Sequence, residues 1–239
     1  VSGLNIQRFT AAGIRLQICL PTPMSVIYAF CTARDVVAIE AAYETAMRRE
    51  VEAICRHLPH RDICIQWDVC HDMIVWDGQP QDQFPLVKAS RHDIAARFAR
   101  ICAPVPDDVE LGFHLCYGDF GGKHFFDPVT ARHLVDIANA IARSVRHTIA
   151  YIHLPVPLPR ATDEFFAPMR EFKLAPDTEI YLGLIHAVDG VAGAKARIEL
   201  AHKYVPKFGV ATECGFARAR KLDVVQRLLA IHADVAEEP

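Results

Sequence analysis

The sequence predicts an α/β fold built on a parallel sheet, and three observations carry that prediction. Short, nearly continuous apolar runs alternate with longer segments of helical period. The runs lack an alternating polar face, which suits strands covered on both sides. At 239 residues, 51% hydrophobic and 23% charged, the chain can bury a full core as a single domain over residues 1–239.

The strand candidates, in order, are IRLQICL (14–20), DICIQWDV (62–69), VELGFHLC (109–116), TIAYIHL (148–154), EIYLGLIH (179–186) and FGVATEC (208–214). Between them, apolar residues recur at three- and four-residue spacing over 33–58, 91–103, 127–145, 191–205 and 222–236, which predicts helices. Asp127-Pro128 reads as an N-cap followed by a first-turn proline. The segments DGQPQDQFP (77–85) and LPVPLPR (154–160) read as loops.

Repeated βα units give parallel strands with right-handed crossovers, in an open doubly wound sheet or a closed barrel. Neither G-x-G-x-x-G nor G-x-x-x-x-G-K-[ST] follows an early strand, so the common nucleotide-binding folds lose their signature. About six strands can be counted, whereas a closed (β/α)8 barrel needs eight.

With 26 basic against 29 acidic residues, the net charge is −3 and no basic run is interleaved with aromatics. That argues against nucleic acid or an anionic membrane as partner and for a small molecule. No long uninterrupted apolar stretch and no signal-peptide pattern is present, so a cytoplasmic location is expected. The eight scattered cysteines form no C-x-x-C pair and are expected to be reduced, most of them acting as small buried hydrophobes.

In parallel α/β folds, ligands bind where the carboxyl ends of the strands open into their loops. Here those ends carry Asp68, His114 with Cys116, His153, His186 and Cys214. His114 and Cys116 stand two apart, so they project from the same face of one strand end. Imidazole and thiolate are the ligands zinc favours, so these strand ends make a candidate Zn²⁺ site. Asp119 and His124, in and just beyond the glycine-containing loop after the third strand, are candidate substrate contacts, because function concentrates in loops. His57, His60, His92, His133, His202 and His232 read as surface or cap residues.

The stretch FHLCYGDF resembles the His-x-Cys-Tyr strand of the cobalamin-independent methionine synthases. IQWD is similar to that family's Ile-Gln-Ile-Asp strand. The segment from YLGLIH to ECGFARAR resembles the family's last two βα units, which end in Asp-Cys-Gly-Leu. The resemblance runs from about residue 14 to the end.

It implies a (β/α)8-type barrel carried through about six βα units, with the family's first two strands missing and a homo-oligomer able to cover the open edge. It further implies zinc held by His114, Cys116 and Cys214, Asp68 binding the substrate amino group, and methyl or alkyl transfer to a thiol. A folate-type donor is the one used in that family.

Two departures stand out. Where the family has a further zinc-binding glutamate, this chain has His153, giving a two-His, two-Cys set. Where the family has Asp-x-His, this chain reads IHAVDG, with His186 where the aspartate would fall and Asp189 close to the histidine, which weighs against a proton relay and against folate; His186 and Asp68 stand as the candidate catalytic residues. The alternatives are a non-catalytic binding protein on the same fold, or a uroporphyrinogen decarboxylase-like lyase. The latter ranks last, because its chemistry needs an arginine-lined mouth.

Overall fold

The structure is a computed structural model that describes residues 13–32, 34–78, 90–118, 124–125, 127–216 and 220–236. All six expected strands form: β1 (Leu16–Pro21), β2 (Ile63–Val69), β3 (Glu110–Leu115), β4 (Ile149–Pro155), β5 (Glu179–Ile185) and β6 (Gly209–Thr212). Their order in the sheet is their order in the chain. A doubly wound sheet would reverse direction at a switch point, whereas unbroken sequential order is that of a (β/α)8-type fold. The β1/β2, β4/β5 and β5/β6 pairs are parallel.

The helices are α1 (Pro23–Phe30), α2 (Val36–His57), α3 (His71–Asp77), α4 (Arg91–Cys102), α5 (Arg132–Ser144), α6 (Asp163–Phe166), α7 (Gly190–His202) and α8 (Leu222–Ala236). None among the described residues is long and apolar enough to cross a membrane. The chain divides into two compact units, one of Val1–His114 with Ile141–Ala150 and one of Leu115–Ala140 with Tyr151–Pro239.

In the first unit, Ile63, Ile65, Trp67 and Val69 of β2 are fully buried. Helix α4 offers Ile94, Phe98 and Ile101 at helical spacing, and the Phe98 ring meets Phe113 of β3 edge-on with centroids 6.2 Å apart. Ser90 and Asp93 form a reciprocal capping box at the start of α4. Its polar side is joined to α2 by two forked pairs, Arg97 with Glu40 and Arg100 with Glu44.

The two pairs differ in exposure, and so should their worth. The side chains of Arg97 and Glu40 are 17% and 16% exposed, while Arg100 is 48% exposed. Arg97→Ala is therefore expected to cost about 2 kcal/mol and Arg100→Ala less than about 1 kcal/mol, measured by urea denaturation.

In the second unit, Ile185 at the end of β5 packs with Ala194 of α7 and with Leu228 and Ile231 of α8. Arg197 of α7 is buried here; its Nε donates to Leu184 O at 2.8 Å and its two terminal nitrogens donate to the Asp189 carboxylate. The turn carrying Asp189 passes through Gly190 at φ +63°. Gly193 leaves room for the carboxylate, since a Cβ there would lie 2.0 Å from Asp189 Oδ2.

One helix starts later than its sequence suggests. Residues 127–131 are not helical, and α5 begins at Arg132. Asp127 directs its carboxylate to His124 Nδ1 at 3.2 Å instead of capping, and Thr130 Oγ1 accepts from Arg132 N at 3.2 Å in its place. Helices α1, α3 and α6 were not expected from the pattern. Most of the expected loop at 77–85 falls outside the described residues.

Candidate functional site

The two loops that follow β1 and β2 are tied together by hydroxyl groups. Thr22, the N-cap of α1, holds the buried Asp72 carboxylate through its Oγ1 and lies 2.8 Å from Ser25 Oγ. Ser25 Oγ accepts from Cys70 N at 3.1 Å and His71 N at 3.3 Å. Burial pushes the Asp72 carboxyl above the usual carboxylate range, and the Thr22 hydroxyl opposes that push.

This clasp fixes the strand end that presents Asp68, whose carbonyl accepts from Thr22 N at 3.2 Å. The Asp68 side chain accepts from Gln66 Nε2 at 2.8 Å. His114, the penultimate residue of β3, is buried, and so is Cys116 immediately beyond that strand. Cys214 stands two residues past β6, also buried, and its carbonyl accepts from the Thr212 hydroxyl at 2.7 Å. All eight cysteines are thiols, five of them buried. Asp119 lies outside the described residues.

His153 sits within β4, half-buried, with Nε2 2.9 Å from Thr212 O. A carbonyl only accepts, so Nε2 carries the proton and donates. β5 lies between these two strands in the sheet order. Its Gly183 permits the close approach, because a Cβ there would come within 2.8 Å of Glu213 Cα.

His186, just past β5, is 9% exposed. Its Nε2 donates to Val156 O at 3.0 Å, and its Nδ1 lies 3.3 Å from Glu213 Oε2. Burial, with the Arg197 charge second, pushes the ring down to about 4, while the bond to Val156 O and the Asp189 charge pull the other way. With Nε2–H committed to a carbonyl, the contact between Nδ1 and Oε2 requires a proton on one of the two atoms.

The same carboxylate meets a second imidazole, with His124 Nε2 3.9 Å from Glu213 Oε1 and His124 Nδ1 on Asp127. The second unit thus brings His124 and His186, both singled out from sequence, to one carboxylate that was not. The sequence signal for Glu213 was only its place beside Cys214 in a strand-end loop. Asp189, which sequence places near His186, is held by Arg197, and that ion pair keeps its carboxyl below the usual range.

The donor chemistry of His114, Cys116 and Cys214 fits zinc, which takes imidazole nitrogen and thiolate sulfur. Among the described residues, no group of three or more His, Cys, Asp or Glu side chains is placed to hold a metal ion.

No protein-family model matches the chain, and no curated protein matches it. Solved structures do. A B12-independent methionine synthase from Shewanella sp. W3-18-1, in complex with selenomethionine, superposes with a TM-score of 0.64 at 15% identity, covering 99% of this chain and 67% of that one. A provisionally assigned vitamin-B12-independent methionine synthase from Listeria monocytogenes gives a TM-score of 0.59 at 20% identity, covering 100% of this chain and 71% of that one. At such identities the likeness establishes a shared fold, so the chain has the α/β fold of B12-independent methionine synthase structures.

Proposed function

We propose that this chain is an alkyltransferase acting on the thiol of an amino-acid-like substrate, with chemistry similar to that of the B12-independent methionine synthases. The observation that supports it is the placement of one imidazole and two thiols, His114, Cys116 and Cys214, at the ends of β3 and β6 in a fold shared with those proteins. These are the residues that would hold Zn²⁺. When bound, the metal supplies a thiolate at neutral pH by stabilising the deprotonated sulfur.

The chain's other residues take the remaining tasks. Asp68 is assigned to the substrate ammonium. His186 and Glu213 hold a proton between Nδ1 and Oε2, for the group that departs as the new S–C bond forms. His153, whose Nε2 donates to Thr212 O, orders the β4 and β6 ends in this reading, and a fourth bond to the metal would come from its Nδ1. The donor class is an activated methyl or alkyl compound; the departure at IHAVDG weighs against the folate-type donor that the family uses.

A second reading is a binding protein on the same fold without catalysis. Proton release tests for the metal-held thiolate that the transfer requires. Adding L-homocysteine to zinc-loaded protein at pH 7 in weak buffer should release about one proton per thiol bound, because a free thiol there is mostly protonated and a metal-held one is not. Binding without proton release would favour the second reading.

A further inference from the structure

Asp68 does not stand alone on its strand. In the parallel register of β1 with β2, Cys19 pairs with Gln66 and Pro21 with Asp68. Residues two apart share a face, so Gln17 and Cys19 of β1 lie beside Gln66 and Asp68 of β2. On that face the amides form a directed chain: Gln17 Nε2 donates to Gln66 Oε1 at 2.7 Å, and Gln66 Nε2 donates to Asp68 Oδ1 at 2.8 Å. Both amide nitrogens also lie 3.4 Å from Cys19 Sγ.

The direction is forced by charge. An ionised carboxylate only accepts, so Gln66 must turn its nitrogen to Asp68, and its carbonyl then faces Gln17. Gln66 is only 6% exposed, so reorienting it would bury unmatched polar atoms. Asp68 is half-buried and would otherwise sample several rotamers; the Gln66 bond pins Oδ1 and leaves the carboxylate's other lone pairs for an incoming donor.

We infer that Gln66 is a positioning residue for the Asp68 carboxylate, itself oriented by Gln17, and that this chain of amides sets the selectivity for a substrate bearing an α-ammonium group. The inference rests on the assignment of Asp68 to the substrate ammonium. It adds two residues, from two strands, that act only through Asp68.

The test compares calorimetric binding of L-homocysteine with that of 4-sulfanylbutanoate, the same thiol acid without its ammonium, to the zinc-loaded protein. An ammonium meeting a fixed carboxylate should give the wild type a preference on the order of tenfold or more. Asp68→Asn should abolish that preference. Gln66→Leu should cut it roughly fivefold while leaving 4-sulfanylbutanoate binding unchanged, and Gln17→Leu should move it the same way by less.

A residue that merely supports the fold would weaken both ligands together. Should Gln66→Leu not fold, the exposed Gln17→Leu decides by the same ratio. If Asp68→Asn loses the preference while both glutamine variants keep it, the positioning role is overturned and the Asp68 assignment stands. If Asp68→Asn keeps it, the assignment and the inference fall together.

Discussion

Arg197→Met should destabilise the protein by about 3 kcal/mol, the largest single-residue effect on stability expected here. Methionine approximates the volume of the arginine stem and carries none of its donors. The substitution leaves the Leu184 carbonyl without the Nε bond at 2.8 Å and the Asp189 carboxylate without its forked partner. The arginine side chain is 5% exposed and Asp189 34% exposed, so most of the cost falls on the buried side. Removing Asp189 as well, in Arg197→Met with Asp189→Leu, should recover part of the loss, since no stranded charge is then left beside α7. The midpoint of urea unfolding followed by circular dichroism reads both. Local consequences reach the candidate site, because the Asp189 turn directly follows His186.

Stability should also fall as the solution is acidified from about pH 6.5 toward pH 4, through His186. Its ordinary value is 6.5 and the folded value is about 4, so between those limits the unfolded chain binds a proton that the folded one does not. Stability therefore rises with pH across this window: the contribution is fully present above about 6.5 and is lost as pH falls through 4. Integrated over the window, it is on the order of 3 kcal/mol. His186→Gln should flatten that part of the pH profile while leaving the carboxylate-driven acid limb in place. A profile with the same slope in the variant would mean that the ring is charged in the folded protein, held so by Glu213.

The six strands are legible in the sequence for a physical reason. Burial on two faces leaves little polar alternation, so each strand reads as an apolar run. Helix α8 is equally legible, since Leu228 and Ile231 recur at helical spacing on a buried side. Helix α1 is hidden by the same uniformity that reveals strands: PMSVIYAF has no polar face to show a period, although Thr22-Pro23 is a usable start signal.

Asp127-Pro128 misleads because a carboxylate that can cap a helix can equally bind an imidazole, and only the fold brings His124 to it. The strand-end residues Asp68, His114, Cys116 and Cys214 can be picked from the pattern, since parallel strands put their carboxyl ends to use. Glu213 cannot. Its partners His124 and His186 are distant in the chain, and the glycine that admits its backbone, Gly183, matters only once β6 lies beside β5. The amide chain on β1 and β2 is likewise a product of register, because a slip of one residue would turn Gln17 and Gln66 to opposite faces.

Metal content decides whether this protein holds a thiol on zinc. Protein purified without added zinc, or loaded and then dialysed against metal-free buffer, should hold about one zinc per chain by plasma mass spectrometry. Cys116→Ser and Cys214→Ala should each retain less than about a tenth of that, since losing one thiolate of a three-residue set removes most of the affinity. Circular dichroism and thermal unfolding of the same samples separate lost ligation from lost folding. Zinc content unchanged in both variants, or no retained zinc in folded wild-type protein, would contradict a metal-held thiol and the transferase built on it.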